Sequence, residues 1–139
     1  MWMAIVHGAR GLTFFCHSWY EKSTWSRIQP EMREALTKYT GEIHSLARVL
    51  NSPSVPDWVK VETTQGSRVD TLVKKTDGFV YVFAVNMYRK PENATITVAG
   101  VRDGTAEVLF ENRTVEVTGG KIVDGFEPYA VHRYKIASK

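Results

Sequence analysis

A single cysteine, Cys16, stands among the 139 residues, so no disulfide can close within the chain. It lies in the most apolar run of the sequence, where a buried thiol acts as a small hydrophobe. A reactive thiolate needs an accessible, electropositive setting, and proximity of His7 and His17 in sequence does not supply one. No run reaches the roughly 20 apolar residues that span a bilayer. The opening stretch is hydrophobic but has neither the basic start nor the small-residue cleavage site of an export signal, and His7, Arg10 and His17 interrupt it. The cytoplasm is therefore the default compartment, and the triplets Asn93-Ala94-Thr95 and Asn112-Arg113-Thr114 are read as chance sequons.

Charge of one sign is also scarce. The 18 basic and 15 acidic residues leave a formal +3 spread along the chain, with no block of like charges. That excludes the basic arm or patch that nucleic acid or an anionic membrane requires. His7, His17, His44 and His132 have no metal-ligand spacing. Gly8 and Gly11 precede an apolar run rather than follow it, which excludes a phosphate-cradling loop. No metal or cofactor is expected. Disorder is excluded too, because 43% hydrophobic and 24% charged residues are enough for a core.

What is present falls into two parts that separate near Pro53 to Pro56: residues 1–53 and residues 54–139. The first part opens with MWMAIVHGARGLTFFCHSWY. Its apolar run 12–16, bounded by glycine and rich in aromatics, reads as a strand buried on both faces, the kind found in helix-covered parallel sheets. A polar loop follows over 21–29. Pro30 suits the first position of a helix, and Glu31 and Glu34 favour the positive end of its dipole. Met32, Leu36, Tyr39, Ile43, Leu46 and Leu50 recur at steps of four and three, an apolar stripe on a helix of about six turns. Lys38, Glu42 and Arg48 fall on its other faces, His44 reads as a half-buried packing residue, and Asn51, Ser52 and Pro53 stop it.

After residues 54–58 the period changes to two. Strands are expected at 59–63, 69–75, 79–85, 95–98, 107–110, 114–117, 121–123 and 130–136, with Asp77-Gly78 a strong hairpin signal and FVYVFAV at 79–85 the central strand. The fold class is thus α+β, mainly β. An N-terminal strand and long helix precede an antiparallel β-sandwich of about eight strands.

The order of these parts resembles the end of a (β/α)8-barrel glycoside hydrolase that carries a C-terminal β-sandwich. WMAIVHGARGLTFFCHSW is similar to the approach to an eighth barrel strand through a Gly-Ala-x-Gly turn. FVYVFAVN at 79–86 is similar to a sandwich strand ending in Asn, and GFEPYAVHRYKI at 125–136 to the closing strand. The resemblance implies that residues 1–53 are the last βα unit of a barrel and that the other units lie outside this chain. A beginning at Met1, just ahead of that strand, fits a longer protein cut or truncated at that point.

In such barrels paired carboxylates flank the glycosidic bond, about 5–5.5 Å or 6.5–9.5 Å apart, and they come from earlier strands. No catalytic residue is therefore assigned. The end of an eighth strand faces the barrel mouth, so His17, Trp19 and Tyr20 are the substrate-contacting candidates, with Trp19 suited to stack on a sugar ring. Glu21 in the same loop reads as solvated. On the sandwich, Tyr81, Tyr88, Tyr129 and Tyr134 are candidates for a sugar-binding face, although alternation places Tyr134 in the core.

The resulting expectation is a non-catalytic portion of a glycoside hydrolase-like protein, its sandwich structural or accessory. The alternatives are a stand-alone carbohydrate-binding module and an assembly domain that self-associates through the N-terminal strand and helix. A small hydrolase built on Cys16, His17 and Glu21 is the weakest reading. Expected partners are a carbohydrate and either a second copy or the missing barrel, with no nucleic acid and no membrane.

Overall fold

The run FVYVFAV organises the molecule because every one of its side chains needs cover. The computed structural model describes residues 1–15 and 28–139. In it, strand β3 (Phe79–Asn86) is buried along almost its whole length. Val80, Val82 and Ala84 point into a core between two sheets. Tyr81, Phe83 and Val85, the alternate residues, point into a second core beneath helices.

Among the described residues there are seven further strands: β1 (Val59–Thr63), β2 (Val69–Thr76), β4 (Glu92–Val98), β5 (Gly104–Val108), β6 (Arg113–Val117), β7 (Lys121–Phe126) and β8 (Val131–Ala137). A five-stranded sheet runs β2-β3-β8-β5-β6 and a three-stranded sheet runs β1-β4-β7. Their pairings are antiparallel, with Val82 opposite Val73 on one side and Tyr134 on the other. The inter-sheet core holds Ile96 and Ile122 at 0% exposure and Phe126 at 1%. Asp77 and Gly78 both take positive φ, 54° and 77°, the primed turn that follows the strands' twist.

The outer face of β2 and β3 is covered by helix α1 (Trp2–Val6) and by α3 (Ala47–Leu50), which continues α2 (Pro30–Ser45). Trp2 stacks on Phe83 with ring centroids 5.4 Å apart and planes at 15°. Leu46 and Val49 complete this second core. The long helix expected from the stripe is present in two pieces, interrupted at Leu46 (φ −98°, ψ 8°). Only its C-terminal half is seated. Met32 is 59% exposed, and Leu36 and Tyr39 are half-buried.

The mainly β architecture, with helix before sandwich, is as the sequence predicts. In the N-terminal part, before the sandwich, further details differ. Residues 12–15 are not in a strand, and Phe15 is 78% exposed; an apolar run takes up strand geometry only where a sheet edge accepts its backbone groups, and the two sheets among the described residues are built from residues 59–137. Glu42 is buried rather than on an outer face, and His44 is exposed rather than half-buried. Among the described residues no helix is long and apolar enough to cross a membrane.

Candidate functional site

Three loops meet at one end of the sandwich, and a buried polar side chain at the end of a strand pins each of them. Asn86, 0% exposed, closes β3. Its amide donates to the carbonyls of Lys90 (2.8 Å) and Glu127 (3.1 Å), and its Oδ1 accepts from the Tyr88 backbone N–H (2.9 Å). Glu92, 2% exposed, opens β4. Its carboxylate accepts from the backbone N–H groups of Thr64 (3.0 Å), Gln65 (3.0 Å) and Ser67 (3.0 Å), and from the Thr64 hydroxyl (2.8 Å). Burial alone would raise its pKa. The Thr64 hydroxyl and the N–H groups of Gln65 and Ser67 outweigh that and hold the carboxyl at about 2.

Between the pinned loops lies a cleft of about 550 Å³ lined by Gln65, Gly66, Ser67, Met87, Tyr88, Arg89, Lys90 and Tyr129. Tyr88 and Tyr129 are 51% and 49% exposed. The Tyr129 N–H donates to the Tyr88 carbonyl at 3.1 Å, which fixes one tyrosine against the other. Arg89 Nε donates to the Tyr129 hydroxyl at 3.3 Å.

Tyr129 sits in a strained turn. The Ala130 N–H donates to the Glu127 carbonyl at 3.0 Å, closing Glu127-Pro128-Tyr129-Ala130. Pro at the second position and positive φ (58°) at the third make the pattern of a type II turn, whose third position favours glycine. An aromatic residue there costs on the order of 1–3 kcal/mol, and such strain collects at functional sites.

A second polar cluster runs through the side of the sandwich. Arg113 donates to both oxygens of Asp124 (3.2 and 2.8 Å) and to Glu111 (2.9 Å). Tyr134 donates its hydroxyl proton to Asp124 at 2.8 Å. Burial pushes the Asp124 pKa up, but the Arg113 and Tyr134 hydrogen bonds dominate and hold it below the usual carboxylate range. His132 Nδ1 lies 2.8 Å from Glu111, and its Nε2 lies 3.0 Å from the Gly125 carbonyl. From there the cluster reaches the helices, because Arg133, which lies 3.6 Å from Glu111, donates to Glu42 at 2.7 Å. Trp2 Nε1 donates to the same Glu42 oxygen at 3.3 Å. This explains the buried glutamate: it neutralises an arginine that the central sheet turns toward the helices.

Of the site residues expected from sequence, His17, Trp19 and Tyr20 lie outside the described residues, as do Cys16 and Glu21. Of the four sandwich tyrosines, the structure brings Tyr88 and Tyr129 together in the cleft and puts Tyr81 and Tyr134 in the cores at 8% and 0% exposure. The sequence reading missed Arg89, which donates to Tyr129, and Lys90, which lines the same cleft; their place in a polar loop beside Tyr88 was the available signal. Among the described residues no group of three or more His, Cys, Asp or Glu side chains is disposed to hold a metal.

No protein-family model and no curated protein matches the sequence. Among solved structures, an Anoxybacillus alpha-amylase of a new glycosyl hydrolase subclass superposes with a TM-score of 0.55 at 19% identity, over 81% of this chain and 24% of that one. The fold is shared with part of that enzyme. A GH42 beta-galactosidase and its catalytic mutant from G. stearothermophilus match at TM-scores of 0.40 and 0.41, each at 13% identity over 84% of this chain and 13% of theirs. This chain thus spans about a quarter or less of the length of the glycoside hydrolases it is similar to.

Proposed function

We propose that this chain is a non-catalytic portion of a glycoside hydrolase-like protein. Residues 1–53 correspond to the last βα unit of its barrel, with 12–15 not in a strand in this chain, and residues 54–139 form an accessory β-sandwich that holds carbohydrate in the Tyr88–Tyr129 cleft. The observation that carries the reading is the fold shared with a quarter of an alpha-amylase. The carboxylate chemistry supports it. A glycosidic general acid needs a raised pKa, whereas Asp124 and Glu111 are committed to Arg113 and Asp124 is held ionised. The cleft offers instead what a sugar ring binds: two exposed aromatic faces with hydrogen-bonding groups around them.

Incubation of the purified chain with aryl glycosides tests the first half; no turnover is expected, and turnover overturns it. Affinity electrophoresis through gels containing soluble polysaccharides tests the second. Retardation lost in Tyr88→Ala supports the cleft, and unchanged mobility in every gel contradicts it.

The exposed apolar residues of α2 favour a second reading, self-association through that helix, with Met32 at its outer end. Sedimentation separates the two: a dimer that dissociates on Met32→Glu supports it, and a monomer at high concentration excludes it.

A further inference from the structure

We propose that the sugar held by the cleft is acidic: a glycan carrying ring carboxylates, read by Arg89 and Lys90 beside the two tyrosines. The inference rests on the carbohydrate reading of the cleft and goes beyond it in naming the substrate class. Among the described residues, two cations and no carboxylate line the cleft. Among the described residues, neither Arg89 nor Lys90 pairs with an acidic side chain. The neighbouring Arg68, by contrast, is held by Asp70 at 2.6 Å. Glu92, two residues after Lys90, is consumed by backbone N–H groups. Glu127, two residues before Tyr129, gives its carbonyl to Asn86 and is not among the lining residues.

Arg89 is also oriented. Its Nε donates to the Tyr129 hydroxyl, which leaves the two terminal nitrogens of the guanidinium for a ligand. They form a planar fork that matches a carboxylate with two parallel hydrogen bonds. A sugar ring stacked on Tyr129 then carries its exocyclic carboxylate toward that fork, with Lys90 on the same loop as a second charge. The strained turn gains a purpose on this reading, because it places the Tyr129 ring under the ligand and its hydroxyl against Arg89.

The test is calorimetric titration of the 139-residue chain with four probes: oligogalacturonate, neutral galactan oligomers, maltohexaose and dextran sulfate. The expected result is binding of oligogalacturonate, weakened roughly 10- to 100-fold in Arg89→Gln, as the loss of hydrogen bonds to a charged group implies. Tyr88→Ala should weaken it too. Tyr129→Gly should abolish it while keeping at least wild-type thermal stability, because glycine relaxes the turn; a stable variant without binding separates the role of the ring from folding. Neutral oligomers bound as tightly, with no effect of Arg89→Gln, overturn the acidic preference and leave the carbohydrate reading standing. Dextran sulfate binding alone, or oligogalacturonate binding insensitive to both tyrosine variants, reduces the effect to unspecific charge attraction and overturns the inference. No binding of any probe overturns both it and the carbohydrate reading.

Discussion

The two apolar layers of this chain are built to different standards. Between the sheets, Ile96, Ile122, Val80 and Val82 are all at 0% exposure, and the polar groups that enter are paired. Beneath the helices, Ile5, Val6, Leu46 and Val49 are each at 8%, and an ionic pair, Glu42 with Arg133, sits among them. The inter-sheet core closes on its own strands. The helical layer is seated along half of α2 only, and the helix then carries its apolar stripe away from the sheet. On the proposed reading, a layer that covers the sheet and still presents Met32 outward is the joint to the rest of the protein, and the self-closed sandwich is what it attaches. The cleft adds to the contrast, because the sandwich spends its buried Asn86 and Glu92 on ordering loops rather than on packing.

Truncation in each layer is the strongest way to break the comparison. Ile122→Ala in the closed core should cost about 4 kcal/mol by urea denaturation, and Leu46→Ala in the looser one about 2, because the site can collapse. Equal losses would remove the distinction. Between these values falls Glu42→Gln, at about 3 kcal/mol, since it leaves the buried Arg133 with Glu111 alone at 3.6 Å. Adding Arg133→Met should recover most of that loss, and no recovery would mean that the pair is not what joins helix to sheet.

Glu92→Gln should give a smaller, pH-dependent loss. Its carboxyl titrates at about 2 in the fold against the ordinary 4.5. The folded value is the lower one, so its contribution is complete above pH 4.5 and disappears as pH falls toward 2. The stability gap between wild type and Glu92→Gln should therefore be widest at neutral pH and close across that window; a gap constant with pH would contradict the hydrogen-bonding account. Smallest of all, Met32→Ala should change the stability of the isolated chain by less than about 0.5 kcal/mol. A loss above 1 kcal/mol would mean that the outer half of α2 is packed after all.

Much of the sandwich was legible because period-two alternation and turn chemistry are local. Strand β1 falls on the residues expected, and β2 and β3 end within one residue of them. β5 was misplaced: Leu109 and Phe110 drew the reading toward the C-terminal side, but Phe110 takes φ 67° in a turn and the strand is Gly104–Val108. β7, expected at 121–123, runs on to Phe126 through Asp124 and Gly125, with Asp124 paired to Arg113. Residues 12–15 show the opposite failure, since they are apolar and yet not in a strand.

Glu42 could not be read at all, because its partner lies 91 residues away. The cleft was half legible. Tyr88 and Tyr129 stand in polar loops, where exposure is expected. That they meet depends on loops at 64–68, 87–91 and 127–130 being drawn together by Asn86 and Glu92, and no local pattern encodes that.

Backbone amide shifts of the 139-residue chain, followed during titration with oligogalacturonate, test most directly whether it acts by holding a glycan rather than cleaving one. Saturable shifts gathered at residues 65–67, 87–90 and 129, with the oligomer recovered intact, are the predicted result. Shifts centred elsewhere, no shifts at all, or shortened oligomers would contradict it.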